Sequence, residues 1–456
     1  MNFRQFYLGC LSHASYYIGS EGEAAIIDPQ RDVQQYIDEA AAHGQAIKYV
    51  IETHSHADFV SGHVELAGKT GAQIVYGERA STQFPTLKVR DGDVLNVGSV
   101  RLTFRETPGH TPEGITIIAE ELGRAGSPMR VFTGDTLFIG DVGRPDLVGS
   151  VGFTAVEMAG MLYDSLQGKI LPLPDDAEIY PAHGAGSLCG KSLSKETWST
   201  LGEQRKFNYA LQPMTKEQFV GIVTADQPQV PAYFPKSAAK NLEGSASMAD
   251  LAKPRELSTE EILTFDGVVV DIRSAAEYGA GHVPNSVNIG LGGQFASWAG
   301  TLIPIGTPLA VVAAKKEQVD EAVMRLARVG HETVSAFMLF SNFTGDQAAV
   351  TQMSVNDANE YVRSGRVVQF IDVRRKGEYS NGHATGAISR PLDSLASHLE
   401  DLDPAAPTFV ICEGGYRSSA GTSILENAGF SELYNATGGT AAWVKAGLPT
   451  ISEESE

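Results

Sequence analysis

The sequence predicts an α/β protein of several domains, and three observations support this prediction. A chain of 456 residues is too long for one ordinary hydrophobic core. Its first half alternates β-like runs such as "IKYVIETH" with helical stretches such as "DVQQYIDEAAAHG". Its second half repeats itself, because residues 268–290 match residues 369–391. Two copies of one α/β unit with parallel strands and crossover helices explain this repeat most simply.

The composition narrows the classes of partner and compartment. The formal net charge is -20, with 55 acidic against 35 basic residues, which argues against a nucleic-acid or anionic-membrane partner. No apolar run approaches the roughly 18 residues that cross a bilayer, and the first residues lack the pattern of a signal peptide. The three cysteines are far apart, as expected in a reducing compartment. We therefore predict a cytoplasmic protein; its oligomeric state is open, with a homo-oligomer among the options.

Histidines and aspartates follow several predicted strands of the first half, at the points where loops begin. The first three follow the apolar run "YVIE", and the others follow three later strands. These residues are His54, His56, Asp58, His110, Asp135 and His183. Polar residues at strand ends converge on one rim of a sheet, and imidazole and carboxylate groups are metal ligands, so the pattern predicts a metal site.

This order of motifs resembles the metallo-β-lactamase superfamily over roughly the first half of the chain: an HxHxD loop, an isolated His, an Asp and a final His. The resemblance implies an αββα sandwich with the metal at one edge. In the dinuclear members, a histidine that holds a second metal stands at the position of Phe59. A phenyl ring cannot bind a metal, so we expect the second metal site to be empty.

Two neutral imidazoles and one carboxylate on one face leave open positions on an octahedral ion, as in non-haem Fe(II) enzymes that activate oxygen. His54, His110 and Asp135 could form that face. The domain also resembles the persulfide dioxygenases. That resemblance implies one Fe(II) per chain, held by these same three residues.

The remaining polar residues of the pattern admit two assignments. In the iron assignment, His56, Asp58 and His183 orient the ligands or bind water. A zinc site that uses His54, His56 and His110 requires the same sequence, and the spacing does not separate the two assignments.

Several other residues lie near these motifs. "IGDVGRPDL" resembles the family's segment beside the metal, so Arg144 is predicted to bind a carboxylate of a thiol tripeptide; a turn with an arginine salt bridge is the alternative. Lys191 in "SLCGKS" is a second candidate for substrate binding. Cys189 lies near the pocket or is a small buried hydrophobe, and Cys10 is read as buried. His63 belongs to the helix after the loop.

A second kind of site lies in "VICEGGYRSSAG", where Cys412 directly follows an apolar strand and precedes a predicted helix. Two glycines between Cys412 and Arg417 let several backbone N–H groups point inward, and the helix adds its positive N-terminal end. Such a nest suits a thiolate or a bound anion. The loop therefore predicts a nucleophilic cysteine.

The loop and the upstream "DVRRKGEYSNGHATGAI" resemble the rhodanese sulfurtransferases over about the last 200 residues. The four residues "EGGY" match the short loop associated with sulfur transfer, whereas related phosphatases use one residue more. The resemblance implies that Cys412 carries a persulfide and that Arg417 helps to bind the anionic donor. The first copy has Ala313 opposite Cys412 and the loop "AAKKEQV", so we expect it to be inactive, as a spacer or a docking surface.

These resemblances set the expected organisation. Residues 1–240 form the metallo-β-lactamase-like domain with its linker, residues 255–350 an inactive rhodanese-like α/β domain, and residues 355–456 a rhodanese domain with Cys412. The segment at 225–257 is rich in Pro, Ala and Ser, which predicts an extended linker that packs along the first domain.

The leading hypothesis is a bifunctional enzyme of sulfur metabolism. An Fe(II) dioxygenase oxidises glutathione persulfide, or a similar small persulfide, with O2 to sulfite and thiol, and Cys412 transfers sulfur between thiosulfate and a thiol. A zinc hydrolase of the glutathione thioesterase type, fused to a sulfurtransferase, is the alternative. In a third reading the first domain is a scaffold or a sulfur-responsive binding module, and only Cys412 is chemically active.

Overall fold

The computed structural model describes residues 1–124, 126–147, 152–191, 193–227, 229–364 and 368–452. The chain forms two compact units. The first comprises Met1–Leu251 with Leu326–Gly330, and the second comprises Ala252–Arg325 with His331–Glu456. Within the described ranges, no helix has both the length and the apolar character needed to cross a membrane.

The first unit contains two six-stranded sheets. One sheet has the order β1-β2-β3-β4-β5-β6 and the other the order β12-β11-β10-β9-β8-β7. The strands are β1 (Asn2–Leu8), β2 (His13–Ser20), β3 (Glu23–Ile27), β4 (Ala46–Ile51), β5 (Gln73–Gly77), β6 (Leu87–Val89), β7 (Val94–Val97), β8 (Val100–Glu106), β9 (Ile115–Glu121), β10 (Arg130–Gly134), β11 (Glu178–Pro181) and β12 (Ser199–Thr200). The helices are α1 (Gln34–Ala42), α2 (His63–Thr70), α3 (Ala155–Ser165), α4 (Leu201–Phe207), α5 (Lys216–Thr224) and α6 (Phe234–Glu243).

Three buried clusters hold the layers of this unit together, one between the two sheets and one between each sheet and its helices. Apolar residues of both sheets, among them Ile18, Leu102 and Phe132, form one buried cluster. Tyr36 of α1 packs in a second cluster with residues of the first sheet, and Leu162 of α3 packs in a third with residues of the second sheet. Each sheet thus buries both faces, which accounts for its nearly continuous apolar strands. The predicted αββα sandwich is confirmed.

The linker prediction was partly wrong. Helix α6 lies within the segment predicted to be extended, with Pro235 in its first turn, where the missing N–H of proline is tolerated. The prediction that the segment packs along the first domain is confirmed, because Leu242 contacts the cluster that contains Ile74 and Tyr76. Proline was read as a linker residue, although at a helix start it favours the helix.

The second unit contains two five-stranded sheets, and their orders are β13-β17-β16-β14-β15 and β18-β23-β22-β19-β21. Their strands are β13 (Arg255–Glu256), β14 (Val268–Asp271), β15 (Val287–Asn288), β16 (Leu309–Ala313), β17 (Val334–Leu339), β18 (Thr351–Ser354), β19 (Gln369–Asp372), β21 (Ile388–Ser389), β22 (Thr408–Ile411) and β23 (Leu433–Thr437). β20 (His383–Ala384) pairs with β24 (Thr450–Ile451). The pairings within both five-stranded sheets are parallel, as predicted.

Helices connect these strands in both copies. They are α7 (Thr259–Leu263), α8 (Ala275–Ala280), α9 (Phe295–Leu302), α10 (Lys316–Ala327), α11 (Val355–Arg363), α12 (Lys376–Ser380), α13 (Tyr416–Asn427) and α14 (Gly439–Lys445). Short helical turns lie at Leu166–Ile170, Tyr209–Leu211, Met248–Asp250, Phe340–Asn342, Leu395–Ser397 and Leu399–Asp401. The two copies share one topology.

The strand registers place the two predicted loops at equivalent points. Asp271 pairs with Val312 in the first copy, and Asp372 pairs with Ile411 in the second. The next residues along the chain are Ala313 and Cys412, which are therefore structurally equivalent. The predicted alignment of these two positions is confirmed.

Candidate active sites

Three of the predicted residues converge at one end of the first unit. The Nε2 atoms of His54 and His110 lie 3.7 and 3.3 Å from Oδ2 of Asp135. One ligand atom from each residue lies within 4.8 Å of the others. All three side chains are buried, and a cavity of about 10 Å³ lies against them. That volume is roughly the room of one water molecule or ion.

Hydrogen bonds fix which nitrogen each imidazole presents. The hydroxyl of Thr53 donates to Oδ2 of Asp28 at 2.8 Å, so it accepts from Nδ1–H of His54 at 3.0 Å. Nδ1–H of His110 donates to the carbonyl of Arg144 at 2.9 Å. Burial holds the pKa of His54 well below its usual value, so this ring is neutral. In the neutral form, each ring therefore directs the lone pair of Nε2 toward Asp135.

Asp135 is held between these rings and a fourth residue. Nδ1 of His183 donates to Oδ1 of Asp135 at 2.8 Å, and Nε2 of His183 lies 2.8 Å from Oδ2 of Asp58. Burial opposes ionisation of Asp135, but the charged His183, which also donates to Oδ1, outweighs it and holds the pKa of Asp135 well below its usual value. Burial also opposes a charge on His183, but the two carboxylates raise its pKa well above the usual value. Oδ2 of Asp135 stays ionised and directed at the two imidazoles.

Buried atoms without hydrogen-bond partners show, independently of the sequence motif, that His54, His110 and Asp135 fit one metal ion. Nε2 of His54 and Oδ2 of Asp135 are buried and have no hydrogen-bond partner within the described part of the chain. A buried polar atom without a partner costs about 1–3 kcal/mol, which a metal bond would offset. Two imidazoles and one carboxylate on one face match the ligand set expected from the sequence.

His56 lies outside this set. Its Nε2 atom is 3.1 Å from Oδ1 of Asp28 and 3.5 Å from Oε2 of Glu52. Potential ligand clusters in the described ranges group His56 with Asp28 and Glu52, or with His13 and His183, and none joins it to His54 and His110. The geometry therefore favours the assignment with His54, His110 and Asp135 over the zinc set that contains His56.

Phe59 fills the space beside the second group of polar residues. Its side chain is 1% exposed, and its ring centroid lies 4.0 Å from that of His13 and 4.5 Å from that of His56. The phenyl ring packs against these imidazoles and supplies no ligand atom. The position expected to supply a ligand for a second metal is therefore occupied by a packed phenyl ring.

The cysteine loop has the predicted position between β22 and α13. Cys412 is 1% exposed, its sulfur accepts from the N–H of Gly415 at 3.1 Å, and it lies 3.3 Å from Oγ of Ser418. Gly415 has a φ of 93°, a left-handed conformation that glycine adopts without strain. This turn directs the N–H of Gly415 toward the sulfur.

Arg417 is held by Glu378, a carboxylate of the repeated segment 369–391. Both terminal nitrogens of Arg417 donate to Glu378, each at 2.7 Å. A cavity of about 370 Å³ lies over Cys412 and is lined by both of these side chains. An anionic donor that binds Arg417 must therefore compete with Glu378.

Comparisons with known proteins agree with this architecture. Residues 8–183 match the family model of the metallo-beta-lactamase superfamily, and residues 255–338 and 354–446 match that of the rhodanese-like domain. Persulfide dioxygenase ETHE1 of Homo sapiens is 34% identical over 207 residues, which are 44% of this chain and 71% of that protein. The chain belongs to the persulfide dioxygenase family of the metallo-β-lactamase superfamily. Its fusion to tandem rhodanese-like domains, the first without the cysteine, is confirmed.

Two further relatives extend the comparison. A structure described as a metallo-beta-lactamase from Staphylococcus aureus subsp. aureus COL has a TM-score of 0.69 and 32% identity, covering 74% of this chain and 99% of that one. A hydroxyacylglutathione hydrolase of Anaeromyxobacter dehalogenans is 29% identical over 170 residues, covering 37% of this chain and 60% of its own length. The persulfide dioxygenase family thus shares its sandwich with hydrolases, so the donor set carries the functional argument.

Two predicted substrate-binding residues of this persulfide dioxygenase homologue already have protein partners. The guanidinium of Arg144 is buried and donates to both carboxylate oxygens of Asp146, at 2.7 and 2.8 Å, which is the salt-bridge alternative. Its backbone carbonyl orients His110. The ammonium of Lys191 donates to the carbonyl of Ile222 at 3.1 Å. Substrate binding by either residue stays a prediction.

The other cysteines and His63 occupy different surroundings. Cys189 is buried near Asp58 and His183, and burial holds the pKa of its thiol well above the usual value, so the thiol is neutral. Cys10 is half-buried, so its interpretation as a buried residue was wrong. His63 is the first residue of α2, as predicted.

Sequence reasoning missed three buried residues of the first unit. His13 begins β2, and its Nε2 atom lies 2.9 Å from the carbonyl of Asp28. Asp28 supports the hydroxyl of Thr53, and Glu52 is a buried acid whose pKa is raised well above its usual value by burial. Asp28 ends the run "EAAIIDP", so the strand-end signal that identified the other residues was present there too.

Proposed function

We propose that this chain is a mononuclear Fe(II) persulfide dioxygenase coupled to a sulfurtransferase. The substrate is glutathione persulfide or a similar small persulfide, and with O2 and water it gives sulfite and the free thiol. The single observation that carries the proposal is the donor set of His54, His110 and Asp135, whose lone pairs converge while Phe59 fills the neighbouring space.

The donor set suits Fe(II) with an anionic substrate. Two neutral imidazoles and one carboxylate leave a net positive charge on a divalent ion, which favours a persulfide anion over the neutral thiol. When bound, Fe(II) supplies the one-electron chemistry that allows a persulfide to react with triplet O2. The protein orients the donors through Thr53, through the carbonyl of Arg144 and through His183.

Sulfur transfer is assigned to Cys412. The thiolate attacks the outer sulfur of thiosulfate or of an organic persulfide, the S–S bond of that donor breaks, and sulfite or the thiolate leaves with the electron pair. Cys412 then carries the persulfide, which a second acceptor cleaves. Gly415 and Ser418 support this proposal, because each places a donor group beside the sulfur. Both activities belong to one chain, and sulfite connects them chemically.

The experiment uses the full chain, purified without oxygen. Its metal content is determined, and O2 uptake and sulfite formation are then recorded after addition of glutathione persulfide. We expect about one iron per chain and equal amounts of O2 consumed and sulfite formed. Zinc without O2 uptake would replace this proposal with the hydrolase alternative.

A further inference from the structure

The cavity over Cys412 is bordered by residues of both copies in the second unit. Cys412, Tyr416 and Arg417 come from the second copy, whereas Gln294 and Trp298 come from the first copy, which has no cysteine. These two residues lie at the start of α9, directly after the loop that follows β15. The copy without a nucleophile therefore forms a wall of the nucleophile's cavity.

Hydrogen bonds join this wall to helix α13, which follows the Cys412 loop. The hydroxyl of Tyr416 donates to the carbonyl of Gly290 at 2.8 Å. Ser419 donates to Oδ1 of Asn288 at 2.6 Å, and the N–H of Asn288 donates to Oγ of Ser423 at 3.1 Å. Asn288 and Ser419 are both buried, so these bonds are shielded from water. Helix α13, which begins beside Cys412, is therefore joined to the first copy along its first two turns.

Helix α10 of the first copy also fixes the loop between β15 and α9. The guanidinium of Arg325 on α10 donates to the carbonyl of Gly293 at 2.8 Å and to the carbonyl of Leu291. Its charged group also lies over the ring of Phe295, 5.5 Å from the centroid. A wall held by a buried arginine presents Gln294 and Trp298 in a defined position.

The size and charge of the cavity indicate its occupant. About 370 Å³ falls within the roughly 300–1,000 Å³ typical of sites for organic ligands. Its lining contains two cations, Arg375 and Arg417, and two carboxylates, Glu378 and Glu413. Glu413 follows Cys412 directly and is half exposed, and Glu378 engages Arg417. This balance gives a small inorganic dianion no net attraction, whereas an indole ring offers a surface to an organic group.

We propose that the copy without a cysteine is the specificity element of the Cys412 site. Gln294 and Trp298 bind the organic part of a thiol persulfide, so that an organic persulfide is preferred over thiosulfate as the sulfur donor. The inference rests on the proposed sulfur transfer at Cys412. In the reaction, the thiolate of Cys412 bonds to the outer sulfur, the donor's S–S bond breaks, and the organic thiolate leaves with the electron pair, so no oxidant or reductant is consumed.

The test compares two donors with one small acceptor. Sulfur transfer to cyanide is measured as thiocyanate, with glutathione persulfide or thiosulfate as the donor, for the wild type, Gln294→Ala and Trp298→Leu. We expect each variant to raise KM for glutathione persulfide about fivefold, which is the scale of one lost aromatic or polar contact. KM for thiosulfate should stay within about twofold, because a small anion does not reach the wall.

Thr301→Ala is the matched control, because Thr301 lies on the same helix and is not among the lining residues. It should leave both KM values unchanged. An equal rise for both donors, or no rise for the persulfide in either variant, would overturn the inference. A wild type that transfers sulfur from neither donor would instead contradict the proposed function. Gln294→Ala leaves the core intact, so the test does not depend on the stability of Trp298→Leu.

Discussion

The two rhodanese-like copies share one frame and differ in one loop. In each copy an arginine grips the aspartate that ends a strand, as Arg273 does with Asp271 and Arg374 with Asp372. Each copy also stacks a histidine on a tyrosine, with ring centroids 3.7 Å apart in the first copy and 3.6 Å in the second. These aspartates, arginines, tyrosines and histidines are therefore structural, because they are engaged alike in a copy with a cysteine and in one without.

The loops after the equivalent strands show where the difference lies. Cys412 is followed by two glycines, and the second, Gly415, takes the left-handed conformation that turns its N–H toward the sulfur. Ala313 is followed by "AKKEQV", which enters helix α10 directly. The shared frame thus supports two different loops. A match to the repeated segment at 268–290 and 369–391 therefore predicts the fold. Only the loop after the equivalent strand predicts the chemistry.

The largest expected effect comes from moving the nucleophile between the copies. Cys412→Ser should abolish sulfur transfer, because a hydroxyl does not form a persulfide. Adding Ala313→Cys to that variant should not restore transfer, because the first loop lacks the glycine turn. Thiocyanate formation measures both. Recovered activity in the double variant would show that the structure shared by the two copies, and not the loop, confers the chemistry.

Removing the shared ion pair should affect both copies alike. Arg273→Ala and Arg374→Ala each leave a buried aspartate without its partner, which costs about 3 kcal/mol of the free energy of unfolding. Differential scanning calorimetry of the full chain should show similar losses in the two variants. A loss confined to one copy would mean that the frames are not equivalent.

The smallest expected effect distinguishes two matched glutamates. Glu378→Gln releases Arg417 while an amide oxygen can still accept from the N–H of Arg375, so KM for thiosulfate should fall about threefold. Glu277 occupies the equivalent position and bonds Ser274, so Glu277→Gln should leave that KM unchanged. Steady-state rates with cyanide as the acceptor measure both values. A higher KM in Glu378→Gln would contradict the competition between Glu378 and donor anions.

The convergence of the strand-end residues was predictable from the sequence because a single physical rule governs it. Residues that end neighbouring strands meet at one edge, so His54, His110 and Asp135 could be grouped from their positions. The direction in which His56 points was not predictable, because it depends on Asp28 and Glu52. Two rings only two positions apart on a loop, His54 and His56, differ in their partners, and the spacing of the residues does not encode those partners.

The role of the first copy was beyond sequence reasoning for a different reason. The absence of a cysteine was readable at Ala313, but the cavity that Gln294 and Trp298 line together with Cys412 joins residues that are far apart in the chain. Likewise, the ion pair of Arg144 with Asp146 could be named as an alternative, but only coordinates show it formed. Long-range packing decides such contacts, and it leaves no local pattern.

The most direct test of the account is a double dissociation of the two sites in the full chain. O2 uptake with glutathione persulfide and sulfur transfer from thiosulfate to cyanide are measured for His110→Ala and Cys412→Ser. The account predicts that His110→Ala loses O2 uptake and keeps sulfur transfer, and that Cys412→Ser does the reverse. Loss of both activities from either substitution would contradict two chemically independent sites.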